Sequence, residues 1–272
     1  MKDADYRCIT ASFKRYIRFG GDWMHIITMG TSHGNATYCR FNSSTLYEIC
    51  GNLYLVDCGE PADGLLTRRG IQARDLKAIF ITHMHGDHAG GLDALIKSMC
   101  KYAKPSFRPT IYLPEEGAAE ALTNWLIALH LCASKGAEFS VTYPGELYDD
   151  GVLRVIAIPT EHMSWSTGHP VPSYAYALFA EGKHVLHTGD LRGDFSDFPA
   201  GDNYWDLCLC ESTHYTPECA FPFLQEAHIG KLIFHHVADQ WHGKRGEQTL
   251  LKAVASLPYP VCVAHDGDEF TI

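Results

Sequence analysis

Residues 83–88 read His-Met-His-Gly-Asp-His, directly after the strand-like run Lys77–Thr82, and put four candidate metal ligands on one short turn. Side chains at i and i+2 of extended backbone project to the same side, so His83 and His85 can grip one ion. Asp87 and His88 are then left for a second. A helix could bring two ligands together at i and i+4, but Gly86 and the β-branched run before it favour a strand-to-loop corner. The competing account, a polar turn that happens to be rich in histidine, explains less of the pattern.

Further candidates fall where other strand-like runs end. His162 follows Val155–Glu161 and could give the first ion a third imidazole. Asp190 closes His184–Asp190 behind a glycine that lets the backbone turn, and its carboxylate could bridge two cations. His235 ends Lys231–His236. Its neighbour His236 competes for the same role, because adjacent strand residues face opposite ways. Each of these alone could be an ordinary hydrogen-bonded residue. Together, His83, His85, Asp87, His88, His162, Asp190 and His235 mix nitrogen and oxygen donors in a way that suits two divalent metal ions, zinc first, manganese or iron as alternatives. A closed structural zinc site needs only four ligands, so a set this large points to a two-metal reaction centre.

Two cations ~3.5–4 Å apart can share a water, lower its pKa and polarise the bond it attacks, which makes a metal-bridging hydroxide the expected nucleophile. Asp87 could orient that water or accept its proton. Protonating the leaving group needs another residue. Glu211 and His214, just past a strand end, are the candidates, with His169 and His236 behind them. Asp57 and Thr82 could hold ligand imidazoles in one tautomer, although Asp57 could equally cap a turn. His33, in Gly30–Gly34, could touch substrate or simply face solvent. That segment is no phosphate loop, since no Gly-Lys-Ser/Thr follows it.

Short apolar runs bounded by turn residues must position these groups. Strands are expected at 24–29, 45–49, 53–56, 78–81 and 110–113, then at 152–158, 173–179, 184–187, 207–210, 232–234 and 261–264. Helical spacing links Leu92, Leu95, Ile96 and Met99, and again Ala118, Ala121, Leu122, Trp125, Leu129 and Cys132, with Leu92 and Trp125 expected in the core. Further helices are expected near 217–228 and 246–256. Two strand-rich halves interleaved with helices predict an α/β layered architecture in one compact domain. Residues 1–23 read as an N-terminal extension and 24–272 as the domain.

Across 272 residues, 46% are hydrophobic, enough for a substantial core. A formal charge of −10 argues against a broad face for long nucleic acid. Ten cysteines without a CxxC pair read as buried reduced thiols, and with no signal-peptide core they predict a cytoplasmic protein. No run is long and apolar enough to span a membrane.

The HxHxDH turn, a later strand-end histidine, a Gly-Asp and a last histidine resemble the metallo-β-lactamase superfamily over roughly residues 24–272. The resemblance implies a four-layered αβ/βα sandwich with a dinuclear site on one edge. Gly30–Gly34 with Arg40–Ser44, then Leu55–Gly59, is similar to the opening of the ribonuclease Z and phosphodiesterase branch. Asp206–Thr213 is similar to a loop of that branch, with Cys210 where a histidine normally precedes the glutamate. Two features of ribonuclease Z are missing: His162 and Asp190 lie too close in sequence for a tRNA-gripping arm, and no His-Ser-Thr loop precedes the last histidine. The resemblance thus implies a phosphodiesterase for a small-molecule or short-nucleotide substrate; whether the pocket offers cationic phosphate partners, such as Arg40 or Lys244 with Arg245, or an apolar acyl slot is open in the sequence. A lactone, thioester or other acyl-ester hydrolase is the alternative on the same centre. A non-catalytic metal protein would have no need of the whole ligand set. A di-iron redox protein would carry glutamate in place of His85. Pairing with a second copy is left open.

Overall fold

The computed structural model describes residues 23–272 apart from Pro105. The proposed extension, residues 1–23, therefore lies outside the described residues except for exposed Trp23. Two seven-stranded sheets face each other. The first contains β1 (Met24–Gly30), β2 (Ser44–Ile49), β3 (Asn52–Val56), β4 (Leu76–Phe80), β5 (Thr110–Leu113) and β6 (Glu138–Val141), with β14 (Asp268–Thr271) returning beside β1. The second runs in order from β7 (Gly145–Asp149) through β8 (Arg154–Thr160), β9 (Ser173–Ala180), β10 (Lys183–His187), β11 (Leu207–Ser212) and β12 (Leu232–Val237) to β13 (Val261–Val263). Helices α1 (Ala62–Arg68), α3 (Leu92–Lys101) and α4 (Glu116–Ala128) follow strands of the first sheet; α6 (Pro217–Glu226) and α7 (Gly243–Ala253) follow strands of the second. Two short helices, α2 (Gly86–Ala89) and α5 (His162–Thr167), sit at the site itself.

Period-two alternation sorts side chains into layers. Along β12, Leu232 and Phe234 join α6 and α7 in one outer core through Leu224 and Leu250, with Val254 just past the end of α7. Between them, Ile233 points to the middle core with Met24, Ile26, Tyr47, Phe80 and Leu209. On the far side, Leu55, Ile79 and Ile111 meet Leu65, Leu95 and Met99 from α1 and α3. The result is the four-layered sandwich expected from the resemblance.

Strand direction fixes where chemistry can gather. β3, β4 and β5 are parallel, as are β10, β11 and β12. β8 is antiparallel to β9, and β9 to β10, so β8 shares the direction of β10. Their carboxyl ends therefore leave each sheet on one edge, where open α/β sheets place ligands.

The polar strands β6, β7 and β14 went unpredicted because their residues are largely half-exposed and offer little alternation. His162, expected just past the end of a strand, opens α5. Trp125 was expected in the core and is 53% exposed: α4 buries only Ala118 and Leu126, so its apolar residues exceed the one face that packs. The cysteines also divide. Cys58, Cys208 and Cys210 are buried, whereas Cys39, Cys50 and Cys132 lie exposed outside the regular elements. Among the described residues, no helix is long and apolar enough to cross a membrane.

Phe80 is fully buried between the sheets, stacked on Tyr112 with ring centroids 5.2 Å apart and edge-on to Tyr148 at 5.5 Å. Phe80→Ala should cost about 3–5 kcal/mol. Urea unfolding monitored by circular dichroism will show this as a lowered midpoint.

Candidate metal centre

Asp57 follows β3 in the left-handed region, with φ 59°, and turns its carboxylate under the next strand. It accepts hydrogen bonds from the Thr82 N–H at 2.8 Å and the Thr82 hydroxyl at 3.0 Å, and lies 2.7 Å from His88 Nδ1. Asp57 is therefore a brace for His88, the first of its two equally weighted sequence readings. Thr82 Oγ1 also reaches His83 Nδ1 at 3.0 Å, so both imidazoles are oriented from behind.

On this support, His83, His85, His162 and Asp190 bring their ligand atoms within 4.8 Å of one another. His85 Nδ1 lies 3.0 Å from His83 Nε2 and 3.3 Å from His162 Nε2. Asp190 Oδ2 lies 3.6 Å from His83 Nε2 and 3.7 Å from His162 Nε2. Beside them, Asp87, His88 and His236 form a second group. Asp87 Oδ2 is 3.0 Å from His236 Nε2 and 3.5 Å from His88 Nε2. The other Asp190 oxygen, Oδ1, lies 3.3 Å from His88 Nε2 and 3.5 Å from His236 Nδ1. One carboxylate thus faces both groups, one oxygen to each.

His235 does not join them. It pairs with Glu211 in the β11–β12 ladder, and the next matched pair is Ser212 with Val237, which leaves His236 as the extra residue of a β-bulge at φ 49°. The bulge turns His236 toward Asp87 and Asp190. His235 packs behind the centre, its ring centroid 4.7 Å from that of His187, whose Nδ1 meets the Tyr47 hydroxyl at 3.0 Å. The sequence expectation for His235 is thus corrected to His236.

Electrostatics favour a cation here. Burial, followed by neighbouring imidazoles, holds His83 well below the usual histidine range; burial likewise lowers His85 and His162, leaving neutral nitrogens with lone pairs to donate. Burial opposes charge on Asp190, but the surrounding histidines draw its carboxyl well below the usual range. His88 Nε2, His236 Nδ1 and Asp190 Oδ1 are buried without hydrogen-bond partners, as ligand atoms awaiting an ion would be. This donor set fits divalent metal.

Glu211 is fully buried and fastened by backbone N–H groups of Leu191 at 2.6 Å, Thr213 at 2.9 Å and His214 at 3.0 Å. His214 Nδ1 lies 2.9 Å from Glu211 Oε1, and its ring stands 4.4 Å from His162 and 5.8 Å from His236 by centroids. Burial disfavours a charged imidazole, but the Glu211 carboxylate outweighs it and His214 is pushed up to about 9. Cys210, on the opposite face of β11, is buried against the Tyr215 hydroxyl and takes no part. His169 lies out on the surface.

Arg40 is not available to a phosphate. Its buried guanidinium donates to Thr31 Oγ1, the Ala264 carbonyl and Glu247 Oε1. Lys244 lines an open cavity of about 490 Å³ with His242 and Gln248, and the engaged Arg40 forms part of the same wall. His33 lies outside the cluster, its Nε2 3.1 Å from Asp239 Oδ1.

Comparison with known proteins agrees with this geometry. A family model described as anti-Pycsar protein Apyc1 matches residues 24–203. A ribonuclease Z from Acaryochloris marina is 33% identical over 225 residues, covering 72% of this chain and 69% of the relative. A ribonuclease BN from Escherichia coli is 32% identical over 310 aligned positions, covering 92% of this chain and 100% of the relative. Among solved structures, the metallo-β-lactamase fold protein YhfI from Bacillus subtilis superposes with a TM-score of 0.74 at 20% identity, covering 93% of this chain and 100% of that one.

The bulge separates two adjacent histidines experimentally. His236→Ala should lower the bound metal measured by plasma mass spectrometry, whereas His235→Ala should retain the wild-type complement. Equal loss from both variants would contradict the orientation set by the bulge.

Proposed function

We propose, since this chain belongs to the metallo-β-lactamase superfamily of hydrolases and within it to the Apyc1 family, that it is a dinuclear phosphodiesterase for a small nucleotide-type substrate. The observation that carries the reading is Asp190, whose two oxygens face two separate imidazole groups. His83, His85, His162 and Asp190 would hold one divalent cation, zinc or alternatively manganese or iron, and Asp87, His88, His236 and Asp190 the other. When bound, such a pair supplies Lewis acidity that acidifies water and offsets charge on the phosphoryl oxygens.

The chain's own groups do the rest. Asp87 lies on the edge of the cluster, where its carboxylate can orient the attacking water. As the P–O bond breaks, the departing oxygen takes a proton from His214. Glu211 keeps Nδ1 of that ring engaged, which leaves Nε2 to donate. The ribonuclease names of the relatives favour a phosphodiester over a carboxylic ester. Small size is favoured because only α5, β9 and β10 lie between His162 and Asp190, and because a net charge of −10 opposes a long polyanion.

Cyclic and linear dinucleotides assayed beside precursor tRNA at fixed salt should be cleaved while the tRNA is left intact. Site-specific tRNA cleavage would reverse the size argument, and turnover of a lactone or thioester alone would overturn the phosphodiester assignment.

His214→Ala should lower turnover of a nucleoside phosphodiester about 10²–10⁴-fold with metal content unchanged. Its effect should be far smaller on bis-p-nitrophenyl phosphate, whose leaving group needs little protonation. The acid form of His214 is present below about 9 and lost above it. The wild-type rate should therefore fall as pH rises through that region, and the variant should lack this limb.

A further inference from the structure

A second set of donors, unused by the mechanism above, lies one turn past His236. His33 comes from the loop after β1; Asp239 and His242 come from the connection between β12 and α7. Asp239 Oδ1 is 3.1 Å from His33 Nε2 and 3.6 Å from His242 Nδ1, and the two imidazole centroids are 5.9 Å apart. One ligand atom from each residue falls within 4.8 Å of the others.

Two details distinguish this group from a chance surface contact. His242 Nε2 faces the Val237 carbonyl at 2.7 Å, and a carbonyl can only accept, so the proton sits on Nε2 and the lone pair on Nδ1 faces Asp239. A backbone carbonyl behind the ring is the usual support of a metal-binding histidine. His33 Nε2 is buried and, despite its nearness to Asp239, makes no aligned hydrogen bond. The backbone holding both loops is also fixed. Val237 N–H donates to the Thr31 carbonyl at 2.8 Å, Ser32 bridges to both Asn42 and Val237, and the Ser32 hydroxyl donates to the Asn35 carbonyl at 2.7 Å.

We propose that His33, Asp239 and His242 form a third metal site, which takes one zinc-class divalent ion and clasps the loop after β1 to the loop after β12. Two imidazoles and a carboxylate are borderline donors of the kind zinc accepts, and water can complete the tetrahedron on the side where Asp239 is 76% exposed. The site goes beyond the phosphodiesterase reading and does not depend on it.

The test is zinc stoichiometry of the full-length protein in chelator-buffered zinc, measured by plasma mass spectrometry. Wild type should bind one more zinc per chain than Asp239→Ala, His33→Ala or His242→Ala, and combining two of these substitutions should remove no further ion. Zinc should also raise the melting temperature of the wild type more than that of Asp239→Ala, whose exposed side chain can be removed without disturbing the core. Stoichiometry in Asp239→Ala equal to wild type would overturn the proposal, because a plain hydrogen bond between His33 and Asp239 makes no contribution to metal content. Loss of more than one ion from that variant would also overturn it, since the residue would then serve the dinuclear centre.

Discussion

Asp190 is a buried carboxylate encircled by His83, His88, His162 and His236, and the rest of the site follows from what that charge requires. A carboxylate removed from water is costly unless opposite charge and aligned donors replace its hydration. Neutral imidazoles cannot do this alone, which is why the cluster makes sense as a cation cage. The same requirement reaches outward. His88 must be held by Asp57, Asp57 by Thr82, and Thr82 by the end of β4, so a single charge organises residues from both sheets. Glu211 meets the requirement differently, through three backbone N–H groups and His214.

Much of this was legible in the residues because the signal was local. Six consecutive residues hold four donors, so 83–88 needed no knowledge of tertiary structure. His162 and Asp190 were legible as residues beyond strand ends, since the edge where parallel strands terminate is set by topology. Glu211 and His214 could be named together because they share one turn. The layered architecture followed from apolar runs whose alternation the structure shows directly in β12.

What escaped was register. Whether His235 or His236 enters the site depends on a bulge created by pairing with β11, and strand periodicity contains no such information. Arg40 shows only a positive charge in sequence; its three internal acceptors come from residues more than two hundred positions away or from a neighbouring loop. Trp125 sits at a helical spacing that suits a core, yet only one narrow face of α4 is covered. His33 and His242 lie far apart along the chain, and the bridge between Ser32 and Val237 that joins their loops has no signal in the sequence.

The division of the centre between two sheets also has a meaning in time. His83, His85, Asp87 and His88 leave the ribosome well before His236, on the order of ten seconds earlier at usual elongation rates. The nascent first sheet therefore displays these four donors before His162, Asp190 and His236 exist to complete the cluster. The sheet itself is unfinished too, because β1 waits for β14, made at residues 268–271, to cover its edge. Completion of the cluster and closure of the first sheet thus both wait for residues made well after the early histidine turn, which must pass through an interval without its partners from the second sheet.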